Sequence, residues 1–89
     1  MVYQINWAPA VDDIRPLERD IRKRIIKKVG SILGQPSRFV ERLEGSPYFK
    51  LRIGDYRAIL DIQHREHIIV VVLIGHRSKV YQEMRRRIS

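Results

Sequence analysis

The chain has 89 residues, with 18 Lys and Arg against 10 Asp and Glu, a net charge of +8 and no cysteine. This length fits one domain, residues 1–89, with a modest core. The lack of cysteine excludes a disulfide framework, a thiol nucleophile and a cysteine metal site. The strong positive charge favours nucleic acid or another acidic partner.

The sequence shows no signal for export or membrane insertion. Residues 1–6 lack the charged-then-apolar pattern of a signal peptide, and the longest apolar run, residues 68–74, is too short to span a bilayer. We therefore expect a soluble cytoplasmic protein with no membrane partner.

The first third of the chain predicts a strand and then helices. Residues 2–7 alternate, with Tyr3, Ile5 and Trp7 on the apolar side. Residues 10–15 suit a short helical piece, and Pro16 suits the first turn of the next helix. That helix, residues 17–33, has apolar residues at every fourth position, widened by a few more: Leu17, Ile21, Ile25, Val29 and Leu33, with Ile14, Ile26 and Ile32.

Residues 35–47 are the least regular segment. Gly34 and Pro36 end the long helix, and residues 38–43 fit either a loop or a turn of helix. Phe39 and Leu43 are expected to fill the core. Residues 44–47, Glu-Gly-Ser-Pro, predict a turn that leads into the next strand.

Residues 48–60 predict a β-hairpin. Gly54-Asp55 joins two alternating runs, and Gly54 can take the positive φ that a type II′ turn needs at its first central position. This turn sets Arg52 opposite Arg57 and places an apolar set on the other face: Phe49, Leu51, Ile53, Tyr56, Ala58 and Leu60. Like charges placed opposite each other cost stability, so the cationic face suggests a polyanionic ligand. Charges kept for solubility, or against aggregation of an edge strand, are the alternative.

The last third predicts a strand and a helix. After a polar bend at residues 63–66, the unbroken apolar run of residues 68–74 indicates a strand buried on both faces at the centre of the sheet. Ser78 can cap a helix over residues 79–87, with Val80, Met84 and Ile88 on its buried side. The fold class is therefore α+β: a small antiparallel sheet, N-terminal helices as a helical hairpin on one face, and a short C-terminal helix. The other face of the sheet should be exposed to water or occupied by a partner.

The hairpin face and the end of the last strand form a candidate site without a metal or cofactor. Its members are Tyr48, Lys50, Arg52, Arg57, His76, Arg77 and Tyr81. Fixed cations can stabilise a phosphorane, Lys, His or Tyr can transfer protons, and a tyrosine can stack on an unpaired base. The alternatives are that Tyr81 packs the last helix on the sheet and that His76 is an ordinary loop residue.

Three segments in this order resemble the RelE toxins of the RelE/ParE superfamily: residues 43–45 (Leu-Glu-Gly), 50–57 (Lys-Leu-Arg-Ile-Gly-Asp-Tyr-Arg) and 74–81 (Ile-Gly-His-Arg, then Val-Tyr). The resemblance implies a RelE-like fold and a toxin that cleaves mRNA in the ribosomal A site, without metal, by attack of the ribose 2′-hydroxyl. It also implies contacts with ribosomal RNA, to which the basic helix of residues 17–33 would contribute, and a RelB-like antitoxin that blocks the active surface.

By the same resemblance, Lys50 and Arg57 stabilise the phosphate in the transition state, and Arg77 is the general acid or a further charge stabiliser. Tyr81 stacks on the base, and Arg52 binds backbone phosphate. Tyr48 stands where bacterial RelE sequences have a lysine proposed as the general base. Tyr48, Lys50 and His76 are the candidates to replace it.

Two other functions are open to the same fold. One is a non-enzymatic ParE-like toxin that inhibits DNA gyrase, and the other is a catalytically degenerate binding module.

Overall fold

The computed structural model describes residues 2–88. Its five strands are β1 (Gln4–Asn6), β2 (Glu41–Arg42), β3 (Phe49–Ile53), β4 (Tyr56–Gln63) and β5 (Ile68–His76). Its helices are α1 (Val11–Ile14), α2 (Arg19–Ser31) and α3 (Val80–Ile88), with 3₁₀ turns at Ala8–Ala10 and Pro36–Arg38. The α+β fold class is confirmed.

All five strands form one sheet in the order β1-β5-β4-β3-β2. Strands β2 to β5 are antiparallel, and β1 joins the free edge of β5 in parallel over residues 68–70. The prediction that residues 68–74 form the central strand is therefore wrong, because β4 occupies that place. Strand β5 lies next to the edge, and β1 covers only the start of it.

The β3–β4 hairpin has the predicted register. Arg52 pairs with Arg57 and Leu51 with Ala58, and Gly54 has φ +58 in the turn. The apolar side of the hairpin belongs to the main core, which α1 and α2 cover from one side. We call this side of the sheet the first face. Its core residues from the helices include Ile14, Ile25, Val29 and Ile32, which are buried.

The long helix spans Arg19–Ser31 rather than the predicted residues 17–33. It begins at Arg19, since Leu17 donates its N–H to the carbonyl of Ile14 (3.0 Å) and closes the end of α1 instead. Pro16 therefore lies in the link between the helices rather than in the first turn of α2. Ile26 does not widen the apolar stripe and is 48% exposed. The predicted turn at residues 44–47 and the short helix before Pro16 are confirmed.

A β-bulge explains the unbroken apolar run of β5. Ile59 pairs with Leu73, but Leu60 pairs with Val71, so Val72 is left over. The extra residue reverses the alternation of side chains beyond it. Before the bulge Val71 points to the first face, and after it Ile74 does so, while Leu73 points to the opposite side. Both faces of β5 are thus covered, as predicted.

The opposite side, which we call the second face, is only partly open. Helix α3 packs on it through Val80, which forms a small core with Ile59 and Leu73. The expectation that this face is exposed to water or occupied by a partner therefore applies only to the part of the sheet that α3 does not cover. Gly75 permits the close approach of the helix, because a Cβ at this position would lie 3.2 Å from the Cβ of Val80.

Candidate functional site

The exposed part of the second face carries the cations of the hairpin. Lys50 lies opposite Ile59, a second-face residue, and Arg52 lies opposite Arg57 on the same side. Side chains directly opposite each other have Cβ atoms about 5 Å apart. Neither Arg52 nor Arg57 has a carboxylate within salt-bridge distance among residues 2–88. Their repulsion is thus not offset by an ion pair, as expected for a surface that receives an anion.

The guanidinium of Arg57 is held against the hairpin turn. Its Nη1 donates to the carbonyl oxygens of Gly54 (2.9 Å) and Tyr56 (2.8 Å). An arginine has five N–H donors, so most of them stay available. Because two carbonyls fix the group, little conformational freedom is lost when it meets a phosphate.

Arg77 joins this end of the hairpin from β5. Its backbone N–H donates to the carbonyl of Asp55 (2.8 Å), and its Nε lies 3.8 Å from a carboxylate oxygen of Asp55. Both side chains are more than half exposed, so this ion pair contributes little to stability and can be exchanged for a ligand contact. Arg77 and Arg57 therefore lie at the same turn.

Lys50 lies between an aromatic ring and a carboxylate. Its Nζ is 5.9 Å from the ring centroid of Tyr81 on α3, within the range of a cation–π contact. The same Nζ is 3.8 Å from Glu41 on β2. Tyr81 is half-buried against the small core of the second face, so it packs the helix and still presents part of its ring.

Glu41 was not recognised in the sequence. Glu41 lies in strand β2 and pairs there with Lys50 of β3. In the sequence, this segment fits either a loop or a turn of helix. A signal existed: a turn at residues 44–47 followed by β3 also fits a short hairpin. Among residues 2–88, Glu41 is the carboxylate that pairs with Lys50, and its side chain is 80% exposed.

Tyr48 borders a shallow groove between the turn before β3 and helix α3. It is half-buried and packs against the small core of the second face. The groove has a volume of about 250 Å³, and its walls are mostly apolar: Gly45, Ser46, Pro47, Tyr48, Met84, Arg85 and Ile88. Tyr48 thus lies two residues from Lys50, beside the cations.

His76 is separated from the other candidates. It pairs with Tyr56, a first-face residue, and the two rings meet edge to face with centroids 5.6 Å apart. Its Nδ1 accepts the backbone N–H of Ser78 (3.2 Å) and contacts the Ser78 hydroxyl (2.9 Å). The bulge in β5 causes this placement, since it decides which side of the sheet the last residues of the strand face.

Helix α3, which carries Tyr81, is fastened at its far end. Arg87 donates to both carboxylate oxygens of Asp13 on α1 (2.9 Å each), and Asp13 also accepts the backbone N–H of Ile74 (3.2 Å). These hydrogen bonds and charges raise the pKa of Arg87 above its usual value, with the Asp13 hydrogen bond as the main cause and Glu83 as a smaller one. We call this contact of Asp13 with Arg87 and the N–H of Ile74 the α3 clasp.

Within residues 2–88, no three His, Asp or Glu side chains are grouped as metal ligands would be. No helix in this part of the chain is long and apolar enough to cross a membrane. Of the predicted site residues, the second face carries Tyr48, Lys50, Arg52, Arg57 and Tyr81. Arg77 lies at the turn of the β3–β4 hairpin.

Several solved structures of toxins, free or bound to an antitoxin, have a fold similar to that of this chain. The structure of a double arginine-to-alanine mutant of Escherichia coli RelE in the free state has a TM-score of 0.73 and 28% identity, covering 100% of both chains. The toxin–antitoxin complex RelBE2 of Mycobacterium tuberculosis gives a TM-score of 0.76 at 22% identity, covering 85% of this chain and 99% of that one. The archaeal RelE–RelB complex of Pyrococcus horikoshii gives 0.73 at 22%, covering 90% and 100%.

Comparison with curated protein sequences finds no match. A family model described as the ParE toxin of the type II toxin–antitoxin system parDE matches residues 7–81, which include the hairpin, β5 and the start of α3. The chain therefore belongs to the ParE toxin family, within the RelE/ParE toxins of type II toxin–antitoxin systems, with a fold close to that of RelE.

Proposed function

We propose that this toxin is a ribosome-dependent, metal-independent endoribonuclease that cleaves mRNA in the A site and so inhibits translation. The observation that carries the proposal is the grouping of Lys50, Arg57 and Tyr81 on the second face, with Arg77 at the same hairpin turn. The 28% identity to E. coli RelE over the whole of both chains supports it.

The proposed reaction needs charge stabilisation more than any other contribution. The ribose 2′-oxygen attacks phosphorus, the bond to the 5′-oxygen breaks, and a 2′,3′-cyclic phosphate and a 5′-hydroxyl result. A base removes the 2′ proton and an acid protonates the leaving oxygen. The phosphorane in between carries extra negative charge, which fixed cations stabilise. Arg57, held by two carbonyls, and Lys50 suit this role.

Arg77 is the proposed acid or a third charge stabiliser, and Arg52 the contact to backbone phosphate. Both are exposed at the hairpin end, where a strand of RNA can reach them. Tyr81 offers part of its ring for stacking on a base, which suits a message that is single-stranded at the point of cleavage.

For the general base, Glu41 is the side chain that the geometry favours. Its carboxylate lies 3.8 Å from Lys50 and is open to solvent, so it can accept a proton beside the proposed phosphate site. His76 faces the first side of the sheet with Nδ1 already accepting a hydrogen bond, and Lys50 is a cation. Tyr48 borders the site as a second candidate. Glu41→Gln should therefore lower the cleavage rate about 100-fold or more, as general base catalysis contributes about 10²–10⁴. Glu44→Gln, in the adjoining turn, is the matched control and should cleave normally.

The experiment is primer extension on a defined mRNA in ribosomal complexes with an empty A site. Arg57→Ala and Arg77→Ala should each lower cleavage about 100- to 1,000-fold, the cost of losing one preorganised donor. Arg65→Ala, in the turn between β4 and β5, removes an exposed arginine elsewhere and should cleave like the wild type. Naked RNA in EDTA should stay intact. Failure to cleave in active ribosomal complexes, or cleavage unchanged in both variants, would contradict the proposal.

The second candidate function is inhibition of DNA gyrase, which the match to the ParE family model favours. It is tested by supercoiling assays with purified gyrase, in which we expect no inhibition. Inhibition that survives Arg57→Ala would favour the ParE-like function. Loss of both activities would leave a binding module.

The proposed partner is a RelB-like antitoxin, since several of the similar solved structures are RelE–RelB complexes. A chain with a net charge of +8 favours an acidic antitoxin segment. Because the candidate site lies on an exposed sheet face, an antitoxin can inhibit by covering it. Addition of the antitoxin should abolish ribosome-dependent cleavage at equimolar concentration.

A further inference from the structure

Asp55 is the acidic residue of the turn between β3 and β4, at the end of the candidate site. Aspartate is common in such turns, so turn chemistry alone explains the residue type. It does not explain the contacts of Asp55, which go to one residue of the site. The carbonyl of Asp55 accepts the N–H of Arg77 (2.8 Å), and its carboxylate lies 3.8 Å from Nε of Arg77. Asp55 therefore meets Arg77 with both its backbone and its side chain.

The side chain of Arg77 has little else to hold it. Arg77 is the first residue after β5, and its side chain is 61% exposed. Among residues 2–88, no carboxylate except that of Asp55 lies within salt-bridge distance of its guanidinium. An exposed arginine samples many rotamers, and fixing one of them when a ligand binds costs free energy. The orientation of Arg77 in the free toxin therefore depends on Asp55.

The ion pair uses the Nε side of the Arg77 guanidinium. Because an arginine has five N–H donors and Nε carries only one, the donors on the two Nη atoms remain for a ligand. A phosphate that binds an arginine bidentately needs two donors. Although this weak pair can be exchanged, a phosphate thus has no need to displace Asp55. The carboxylate can hold the guanidinium from one side while the phosphate binds from the other.

The same turn also holds Arg57. Its Nη1 donates to the carbonyls of Gly54 (2.9 Å) and Tyr56 (2.8 Å), the residues on either side of Asp55. Three consecutive residues therefore supply the acceptors for both arginines: the first and third hold Arg57, and the second holds Arg77. The turn is thus a common support that fixes the two cations relative to each other.

A carboxylate beside a phosphate site also repels the phosphate. The hairpin end nevertheless stays cationic, because Arg52, Arg57 and Arg77 lie there with Asp55 as the acidic residue of the turn. The carboxylate is 72% exposed, so water and salt weaken its repulsion. Stabilisation of a phosphorane depends on donors that already point at the developing charge. We expect the gain from orienting Arg77 to exceed the loss from repulsion.

We propose that Asp55 is a positioning residue that orients the Arg77 guanidinium toward the scissile phosphate. The inference rests on the proposed function, because the phosphate in question is that of the proposed cleavage. Asp55 touches neither the message nor the protons that are transferred, and it acts through Arg77.

The first test is the single-turnover rate of mRNA cleavage in ribosomal complexes at saturating toxin. Asp55→Asn keeps the size and the backbone carbonyl of the residue and removes its charge. The rate should fall about 2- to 12-fold, the cost of ordering one flexible side chain, while the toxin concentration that gives half the maximal rate changes little. The matched control, Asp12→Asn, breaks a still more exposed ion pair with Arg15 (3.7 Å) and should cleave like the wild type.

A double-mutant cycle separates positioning from an effect on the turn itself. Arg77→Ala removes the group that Asp55 orients, so adding Asp55→Asn should lower the residual rate no further. Equal losses in both backgrounds would overturn the proposal, since Asp55 would then act on the turn. A wild-type rate in Asp55→Asn would also overturn it, as would a faster one, which would mean that the carboxylate competes with the phosphate.

The orientation of Arg77 is measured separately, in the free toxin and without cleavage. NMR relaxation of the Nε–H group of Arg77 gives an order parameter, which Asp55→Asn should lower and Asp12→Asn should leave unchanged. An order parameter that ignores Asp55 would overturn the proposal. If the order parameter depends on Asp55 but no message is cut, the nuclease function fails and the orientation of Arg77 by Asp55 stands. If cleavage depends on Arg57 and Arg77 but not on Asp55, the positioning role fails and the nuclease stands.

Discussion

The α3 clasp should make Arg87 far more important to stability than its neighbour Arg86. Arg87 makes two hydrogen bonds of 2.9 Å to Asp13, whose side chain is only 14% exposed. Arg86 pairs with Glu83 at 3.0 Å, but its own side chain is 77% exposed. Water can replace the partner of Arg86 and cannot fully replace that of Arg87.

The expected magnitude follows from these contacts. Hydrogen bonds to charged groups contribute about 1.5–3 kcal/mol each, and breaking a fully buried ion pair costs about 3–5 kcal/mol. Because Arg87 is 35% exposed, water recovers part of this cost, and we expect Arg87→Gln to lower the free energy of unfolding by about 1.5–2.5 kcal/mol. For a domain of this size that corresponds to about 6–20 °C in melting temperature. Arg86→Gln should cost less than about 0.5 kcal/mol.

Asp13→Asn is the second half of the test. It keeps an acceptor for the N–H of Ile74 and removes the charge, so a double-mutant cycle with Arg87→Gln isolates the coupling of the pair. Urea unfolding followed by circular dichroism should give a coupling energy of at least about 1 kcal/mol. The raised pKa of Arg87 means that its contribution is fully present at lower pH and is lost only as the pH rises through that strongly alkaline value. A coupling near zero, or equal costs for Arg87→Gln and Arg86→Gln, would refute the clasp.

Three further predictions concern glycines. Gly54→Ala should destabilise by about 1–2 kcal/mol in urea unfolding, because φ +58 strains any residue with a Cβ; an unchanged midpoint would contradict this reading of the turn. Gly30→Ala, in α2 with nothing within 4 Å, should instead stabilise by up to about 1 kcal/mol through helix propensity, and a loss of stability there would count against it. Gly75→Ala should lower the melting temperature, because the new Cβ would lie 3.2 Å from the Cβ and Cγ2 of Val80. Val80→Ala removes Cγ2 and should relieve part of that strain. Purely additive effects in the double variant would show that the two residues do not press on each other.

Much of the hairpin could be predicted because its information is local. A Gly-Asp pair between two alternating runs sets the turn, the turn sets the register, and the register sets which side each residue faces. The placement of Lys50, Arg52 and Arg57 on one face follows without knowledge of any distant residue. The helical stripe of α2 is local in the same way, since Ile25 and Val29 are buried as their spacing predicts.

What the sequence could not decide depends on partners far along the chain. Strand β2 has two residues, and only its pairing with β3 makes it a strand and brings Glu41 to Lys50. Phe39 is an apolar residue in an irregular segment, and the structure leaves it 45% exposed, with Lys28 of α2 and Arg38 beside its ring. Residue type alone therefore predicted burial where the structure shows exposure.

The sequence by itself determined the fold class, the hairpin register and the cationic face, because repeat spacing and turn chemistry act over a few residues. Only the tertiary structure decided which side His76 faces, since a single extra residue in β5 reverses the alternation, and which residue fastens α3, since Asp13 and Arg87 are 74 positions apart. Contacts at such separation leave no pattern in a short window of sequence, because they depend on how whole elements pack.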